Sequence, residues 1–278
     1  MMSLWHVERT GAVVVARYRN PPMNYFCAEA AGELAQLIES WRDPAVRAVV
    51  LCGAGGPQCG NGFITHYSVE ELLALARDHD GLRRSGTSLT SSYHALVQSL
   101  CDLPKVVIAA LNGNTMGGGL EISLACDIRI GESGDYRYGF PEARLGIIPG
   151  GGGTQRLSRL IGAGRAVEFI LRGRVVTPKT ALALGIVHEL VDDAVVRAMQ
   201  IATEMAALPP RAAACVKRSV YEGSDMHLAG GLRVEDSAFL ETMQSDDACR
   251  AMQAYVDLPY AERRAWIEAG HYPDYAGH

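Results

Sequence analysis

The sequence contains no C-x-x-C pair and no cysteine–histidine grouping at zinc-ligand spacing. Its 8 histidines are scattered, without an i, i+4 pair, so no metal centre is expected. The 7 cysteines are Cys27, Cys52, Cys59, Cys101, Cys126, Cys215 and Cys249. Their odd number and mostly apolar surroundings predict reduced, mostly buried thiols in a reducing compartment. No apolar run reaches the ~20 residues that cross a bilayer. The opening residues, Met1 to Thr10, include Glu8 and have no apolar stretch of the signal-peptide kind. The expectation is a cytoplasmic protein without a membrane partner. Basic charge is not in excess, because the formal net charge is -5, which argues against nucleic acid as a partner. Gly117 to Leu120 lacks the G-x-G-x-x-G spacing of a dinucleotide site. Ser123 does not stand in a G-x-S-x-G elbow. Metal, nicotinamide and serine-nucleophile chemistry thus all lack their usual signatures.

The composition is that of an ordinary folded chain, with 48% hydrophobic and 21% charged residues. The length of 278 residues allows one large domain or a core with an appendage. Strand-like segments lead, with Ala12 to Tyr18 bounded by Gly11 and Asn20-Pro21-Pro22. A helix is predicted over Ala28 to Trp41, where Leu34, Leu37, Ile38 and Trp41 share one face. Ala45 to Cys52 and Val106 to Leu111 are short, nearly continuous apolar runs, the pattern of strands buried on both faces. Ser68-Val69-Glu70-Glu71 is a capping box that starts a helix. Asp78 to Ser92 is polar and reads as a mobile surface loop. Beyond Ile186 to Val191 the chain becomes helical, with breaks expected at Pro209-Pro210, Gly223, Gly230-Gly231 and Pro259. A mixed β/α core over residues 1–195 and a helical region over 196–278 are expected.

The chemistry is concentrated between Pro104 and Gly162. A buried strand runs through Asn112-Gly113-Asn114 into Met116-Gly117-Gly118-Gly119-Leu120-Glu121, which opens a helix. Glycines there allow another molecule to approach the backbone. The first N–H groups of a helix have no internal acceptor, and the dipole favours negative charge. That is the chemistry of an oxyanion hole. Glu121 lies in the first turn. A second acid, Glu142, follows Pro141 in an apolar, glycine-rich setting that would raise its proton affinity. Two such carboxyls can divide acid and base work. Taken singly, each feature has a bland reading as a tight turn or a dipole partner.

Their order and spacing together resemble the signature of the enoyl-CoA hydratase/isomerase (crotonase) family. The matching strings are P-K-V-V-I-A-A-L-N-G, M-G-G-G-L-E-I-S-L-A-C-D-I-R-I and Y-G-F-P-E-A-R-L-G-I-I-P-G-G-G-G-T-Q-R-L. Similarity extends over most of residues 5 to 220, including Arg19 to Asn24, which resembles an early CoA-contact loop. The resemblance implies an α/β fold: a spiral of ββα units with a helical C-terminal region, assembled as a homotrimer or homohexamer. It implies Glu121 and Glu142 as catalytic acids and Gly118 as one oxyanion donor. The loop Cys59 to Ile64 is expected to supply the other donor, from Gly62. Pro22, Met23, Gly60, Phe63, Ile64, Gly117, Pro141 and Gly150 are expected to contact substrate or CoA. Coenzyme A belongs to the substrate, and no separate cofactor is implied.

The departures lie around that loop and in the tail. Phe63 stands where the family usually has Asp, and Asn61 where it has Gly. Glu121 and Glu142 are one residue further apart than is typical, with the extra residue assigned to Gly131 to Asp135. The segment Ala254 to His278 lacks the family's basic ending. His66 and Tyr67 follow the oxyanion loop and read as a surface turn in preference to a lining of the acyl pocket. The implied activity is reversible hydration of a trans-2-enoyl-CoA. A Δ3–Δ2 enoyl-CoA isomerase, another acyl-CoA enzyme of the family, or a non-catalytic acyl-CoA-binding protein are the alternatives.

Overall fold

Two β-layers are laid down in step along the chain. The computed structural model describes residues 3–270 and Tyr275; the end of the segment Ala254 to His278 otherwise lies outside the described residues. The strands are β1 (Trp5–Thr10), β2 (Val13–Tyr18), β3 (Ala48–Gly53), β4 (Gly62–Ile64), β5 (Val106–Leu111), β6 (Asn114–Met116), β7 (Ile128–Glu132), β8 (Tyr138–Gly139), β9 (Val175–Val176) and β10 (Glu189–Val191). The helices between them are α1 (Ala28–Ser40), α2 (Val69–Arg77), α3 (His79–Ser85), α4 (Ser91–Asp102), α5 (Gly118–Leu124), α6 (Gly153–Ile161), α7 (Ala163–Leu171) and α8 (Pro178–Ala183). Helices α9 (Ala194–Ala206), α10 (Pro210–Ser224), α11 (Leu228–Met243), α12 (Asp246–Asp257) and α13 (Tyr260–Glu268) follow.

Successive pairs feed the two sheets: β3 then β4, β5 then β6, β7 then β8. The larger sheet has the order β1-β2-β3-β5-β7-β10 and the smaller β4-β6-β8-β9. Helical segments return the chain after each pair, which is the expected spiral of ββα units. Pairing within the larger sheet is parallel except for β1 with β2.

The apolar runs are strands buried on both faces. Val49, Leu51, Val107, Ala109 and Leu111 point into a core shared with α1, α4 and the smaller sheet. Their alternating neighbours Ala48, Val50, Cys52, Val106, Ile108 and Ala110 meet Ala194, Ala198, Ile201 and Ala202 of α9. Burial of both sets at about 25 cal/mol per Å² drives the layering. Residue 195, the expected end of the core, falls inside α9, whose inner face covers the sheet. All seven cysteines are free thiols, and four of them are buried. No helix among the described residues is long and apolar enough to cross a membrane.

Two expectations need correction. The segment 78–92 is not an open loop: α3 starts on an Asp78 side-chain cap, and a 3-10 turn at Gly86–Ser88 leads towards α4. Polar composition concealed that cap. Gly230 and Gly231 do not break a helix, because both lie inside α11. A Cβ on Gly231 would stand 3.1 Å from the Gly223 carbonyl oxygen of α10. The glycines let the two helix backbones touch.

The C-terminal helices are fastened to the sheet by a buried polar knot. Asp127 accepts from the backbone N–H of Val107 at 2.7 Å and from the Tyr221 hydroxyl at 2.9 Å. Lys217 of α10 pairs with Asp127 at 2.9 Å and donates to the Lys105 carbonyl at 2.7 Å. Removing one partner of a buried pair strands the other charge. Lys217→Met is therefore expected to lower unfolding free energy by roughly 3 kcal/mol, read from denaturant melts at fixed protein concentration. A change below about 0.5 kcal/mol, the scale of ordinary surface substitutions, would contradict the knot's role.

Candidate active site

The parallel pairing of β4 with β6 builds one side of the site. Ile64 pairs with Thr115, and Met116 N–H donates to the Thr65 carbonyl at 2.7 Å. Past Met116 the chain turns through Gly117, whose φ of 47° is accessible at low cost only to glycine. A Cβ there would also stand 2.6 Å from Glu142 Oε1. Helix α5 then begins at Gly118 with every residue buried. Gly119 has no room for a Cβ, which would collide with the Ile64 carbonyl. The glycine triplet is thus what allows α5 to start directly against β4.

Gly118 begins the helix as expected, but Gly62 is not beside it. Gly62 pairs with Asn114 at the start of β4, and a Cβ on it would meet Thr65, Asn24 and Cys59. The residue against Gly118 is Tyr67, with its backbone nitrogen 3.5 Å from where a Gly118 Cβ would be. The register explains the shift. From the Ile64–Thr115 pair, three further residues lead to Tyr67 on one chain and to Gly118 on the other. Among the described residues, neither the Tyr67 nor the Gly118 N–H donates to a protein acceptor.

Tyr67 is held from behind by the 20–26 segment. Phe26 N–H donates to the His66 carbonyl at 2.8 Å, and Ser68 N–H donates to the Phe26 carbonyl at 2.7 Å. Asn24 is fully buried at a φ of 55°, and its amide donates to the Phe63 carbonyl at 2.8 Å and the Gly62 carbonyl at 3.1 Å. The surface-turn reading of His66 and Tyr67 is therefore replaced: both are half-buried, with His66 stacked on Tyr25 at 4.3 Å. The sequence does hold a clue to Tyr67. It directly precedes Ser68, the N-cap of α2 whose side chain accepts from Glu71 N–H. That capping box marks where the chain leaves the site.

The remaining expected contacts divide. Phe63 and Ile64 are wholly buried core residues, so their side chains are not brought to the pocket. Both belong to the core cluster that includes Leu120 and Ile122 of α5. Pro22 and Met23 are exposed in their loop, and Met23 packs 3.1 Å from a Cβ position on Gly60. Gly60 ends the 3-10 turn Pro57–Cys59 in a left-handed conformation. Pro141 precedes the 3-10 turn Glu142–Leu145 and aims Glu142 inward. Gly150 lies in the loop before α6, with Thr90 Cγ2 3.6 Å from its Cβ position.

The two carboxyls are both buried, Glu121 at 2% exposure and Glu142 at 8%. Glu121 Oε1 accepts from the backbone N–H of Gly151 at 2.6 Å and of Gly153 at 2.8 Å. Burial pushes the Glu121 carboxyl above its usual range, while those N–H groups and Arg156 pull it back. For Glu142 the only offset is a hydrogen bond from its own backbone. Its Oε2 is buried with no hydrogen-bond partner among the described residues. Burial, reinforced by the charge of Glu121, raises its pKa to about 7. One acid is thus fixed by two donors, and the other exchanges its proton near neutrality. Together with two unengaged N–H groups, they can stabilise a developing oxyanion and move protons beside it.

The profile of the enoyl-CoA hydratase/isomerase family matches residues 8–265. The chain is 33% identical over 255 residues to the short-chain-enoyl-CoA hydratase of Clostridium acetobutylicum, covering 90% of this chain and 94% of that protein. It is 36% identical over 255 residues to the mitochondrial methylglutaconyl-CoA hydratase of Homo sapiens, covering 89% of this chain and 72% of the human protein. The structure of an enoyl-CoA hydratase from Bacillus anthracis superposes with a TM-score of 0.82 at 30% identity, over 99% of this chain and 100% of that one. Sequence profile, relatives and architecture agree: the chain belongs to the enoyl-CoA hydratase/isomerase family.

Proposed function

We propose that the protein is an enoyl-CoA hydratase, adding water reversibly across the C2=C3 bond of a trans-2-enoyl-CoA. The observation that carries this reading is the presence of two buried carboxyls, one accepting from two backbone N–H groups and one with an unpartnered oxygen, beside the Gly118 and Tyr67 N–H groups that have no protein acceptor among the described residues. Tyr67 replaces Gly62 as the second oxyanion donor. The thioester oxygen accepts from both N–H groups, which draws electron density from C3. A water oxygen attacks C3, and the C2=C3 π pair moves onto the thioester oxygen as an enolate. Glu121 takes the water proton. The enolate then collapses, and Glu142 delivers its proton to C2. The net change is OH on C3 and H on C2, added syn from the side the two acids share; Glu121 then releases its proton to solvent and Glu142 takes one up, which restores both acids.

Glu121 suits the base role because two N–H donors favour its ionised form. Glu142 suits the donor role because it still holds a proton near pH 7. Gly117 and Pro141 keep Glu142 in place, and Gly150 helps to hold the water. Pro22, Met23 and Gly60 offer a rim for the CoA moiety, which enters as part of the substrate. The exposed apolar side chains Leu228, Phe239, Leu240 and Tyr260 of α11 and α13 support assembly as a homotrimer or homohexamer. A cytoplasmic location fits the free thiols.

A Δ3–Δ2 isomerase is the second reading, favoured by the same Glu142. A carboxyl with a pKa of about 7 can take a proton from C2 and return it to C4. Both acids are retained, which weighs against a purely acyl-CoA-binding role.

Loss of conjugated-thioester absorbance with crotonyl-CoA is the expected result for a hydratase. Replacing Glu121 or Glu142 with Gln is expected to lower kcat by about 10²–10⁴-fold without loss of the folded state. Near-normal turnover in both variants would sink the proposal. A rise in absorbance from a 3-enoyl-CoA, with no loss from any 2-enoyl-CoA, would make the protein an isomerase. The pH profile carries a sign. A proton donor is lost as pH rises through about 7, so hydration kcat/KM should fall on the alkaline side, and Glu142→Gln should remove that limb. A rise through the same pH would instead assign Glu142 as the base.

Stability should respond as well. Because the folded pKa of Glu142 lies above its ordinary 4.5, its contribution is complete below about 4.5 and is lost as pH rises through about 7. Glu142→Gln should therefore stabilise the fold at pH 8 by up to about 3 kcal/mol, and less at pH 5. Equal effects at both pH values would contradict the shift.

A further inference from the structure

The wall beside Glu121 is an aromatic ring that the hydration chemistry does not use. Tyr93 stands in the first turn of α4, and its hydroxyl donates to the Gly118 carbonyl at 3.1 Å. A Cβ on Gly118 would be 3.0 Å from that hydroxyl. A Cβ on Gly151 would collide with the Tyr93 ring, and Glu121 Oε2 lies 2.7 Å from the same point. The ring is therefore wedged between the backbone carrying an oxyanion donor and the backbone holding Glu121. It cannot swing aside freely. Tyr67 packs against it edge-on at 5.8 Å, and Phe26 lies 6.2 Å away. Tyr93 nevertheless remains half-buried rather than sealed in the core.

We propose that Tyr93 is a specificity-determining residue whose ring closes the acyl end of the site and restricts the protein to short acyl-CoA thioesters. The inference rests on the hydratase reading for the direction in which the substrate lies. With the thioester oxygen at Gly118 and Tyr67 and C3 facing Glu121, the carbons beyond C3 run towards the Tyr93 ring. A short acyl group ends before it. A longer chain has to displace a ring that backbone confines on two sides. The hydroxyl serves to pin the ring to Gly118, while the ring itself sets the limit.

The test separates pocket length from chemistry. Calorimetric affinities for butyryl-, hexanoyl-, octanoyl- and decanoyl-CoA read the pocket without turnover. Values of kcat/KM for the matching trans-2-enoyl-CoAs read the reaction. In a pocket that accepted the whole chain, each buried methylene would strengthen binding about fourfold. The wild-type protein is expected instead to gain nothing, or to weaken, beyond six carbons. Tyr93→Ala is expected to raise the decanoyl-to-butyryl affinity ratio at least tenfold, and Tyr93→Phe to leave it within about threefold. Tyr93→Leu, closer in volume, provides a second opening if the alanine variant does not fold. An unchanged ratio in the folded Ala or Leu variant, or wild-type affinity that climbs steadily to ten carbons, would overturn the proposal. So would loss of the length limit in Tyr93→Phe. Length-limited binding with no turnover on any 2-enoyl-CoA would defeat the hydratase reading and leave the assignment of Tyr93 standing.

Discussion

Everything at the site depends on the parallel register between β4 and β6. Pairing Ile64 with Thr115 brings two otherwise distant stretches of chain side by side. It leaves Tyr67 and Gly118 adjacent just after regular pairing ends. Neither backbone N–H has a protein acceptor among the described residues. A slip of one residue would invert the strand's side chains and separate the two donors. The packing of Gly119 against the Ile64 carbonyl, where no Cβ fits, excludes that slip. The buried amide of Asn24 clamps the same strand from behind.

The cost of this arrangement is borne locally. An unpaired buried polar group costs about 1–3 kcal/mol, and Glu142 Oε2 is such a group. Glu121 shows the opposite arrangement. Its donors come from the loop entering α6, so the turn of consecutive glycines acts as a bracket for a carboxylate rather than as a hinge. One acid is thus bracketed by two donors and the other leaves an oxygen without a partner among the described residues.

Much of this was legible in the residues. The continuous apolar runs marked doubly buried strands, and the glycine triplet before Glu121 marked a helix entered at close quarters. The order of motifs from Pro104 to Gly162 carried the family. Gly62 was misplaced because a strand three residues long leaves almost no periodic signal, and register is a relation between two chain segments that neither contains alone. Phe63 stands next to Gly62 in sequence, yet its side chain is wholly buried in the core. The helix at His79–Ser85 was hidden because its Asp78 cap and its charged turns look like a polar loop. Tyr93 was invisible for a related reason: its partners Gly118 and Gly151 are far away in sequence and carry no side chains of their own.

The outer strands of the larger sheet have a consequence for how the protein meets its neighbours. On one margin, β1 exposes His6, Val7, Glu8, Arg9 and Thr10 in succession. On the other, β10 is three residues long, and Glu189 there is tied to Arg197 of α9 at 2.7 Å. Charged side chains and brevity are the usual means by which an unpaired strand margin discourages foreign strands. Continuation of the sheet into another molecule is thus disfavoured at both margins. Crowded or partly unfolded copies would find their sticky surface on helices, where contacts are reversible, rather than along a backbone ladder that could propagate into fibrils.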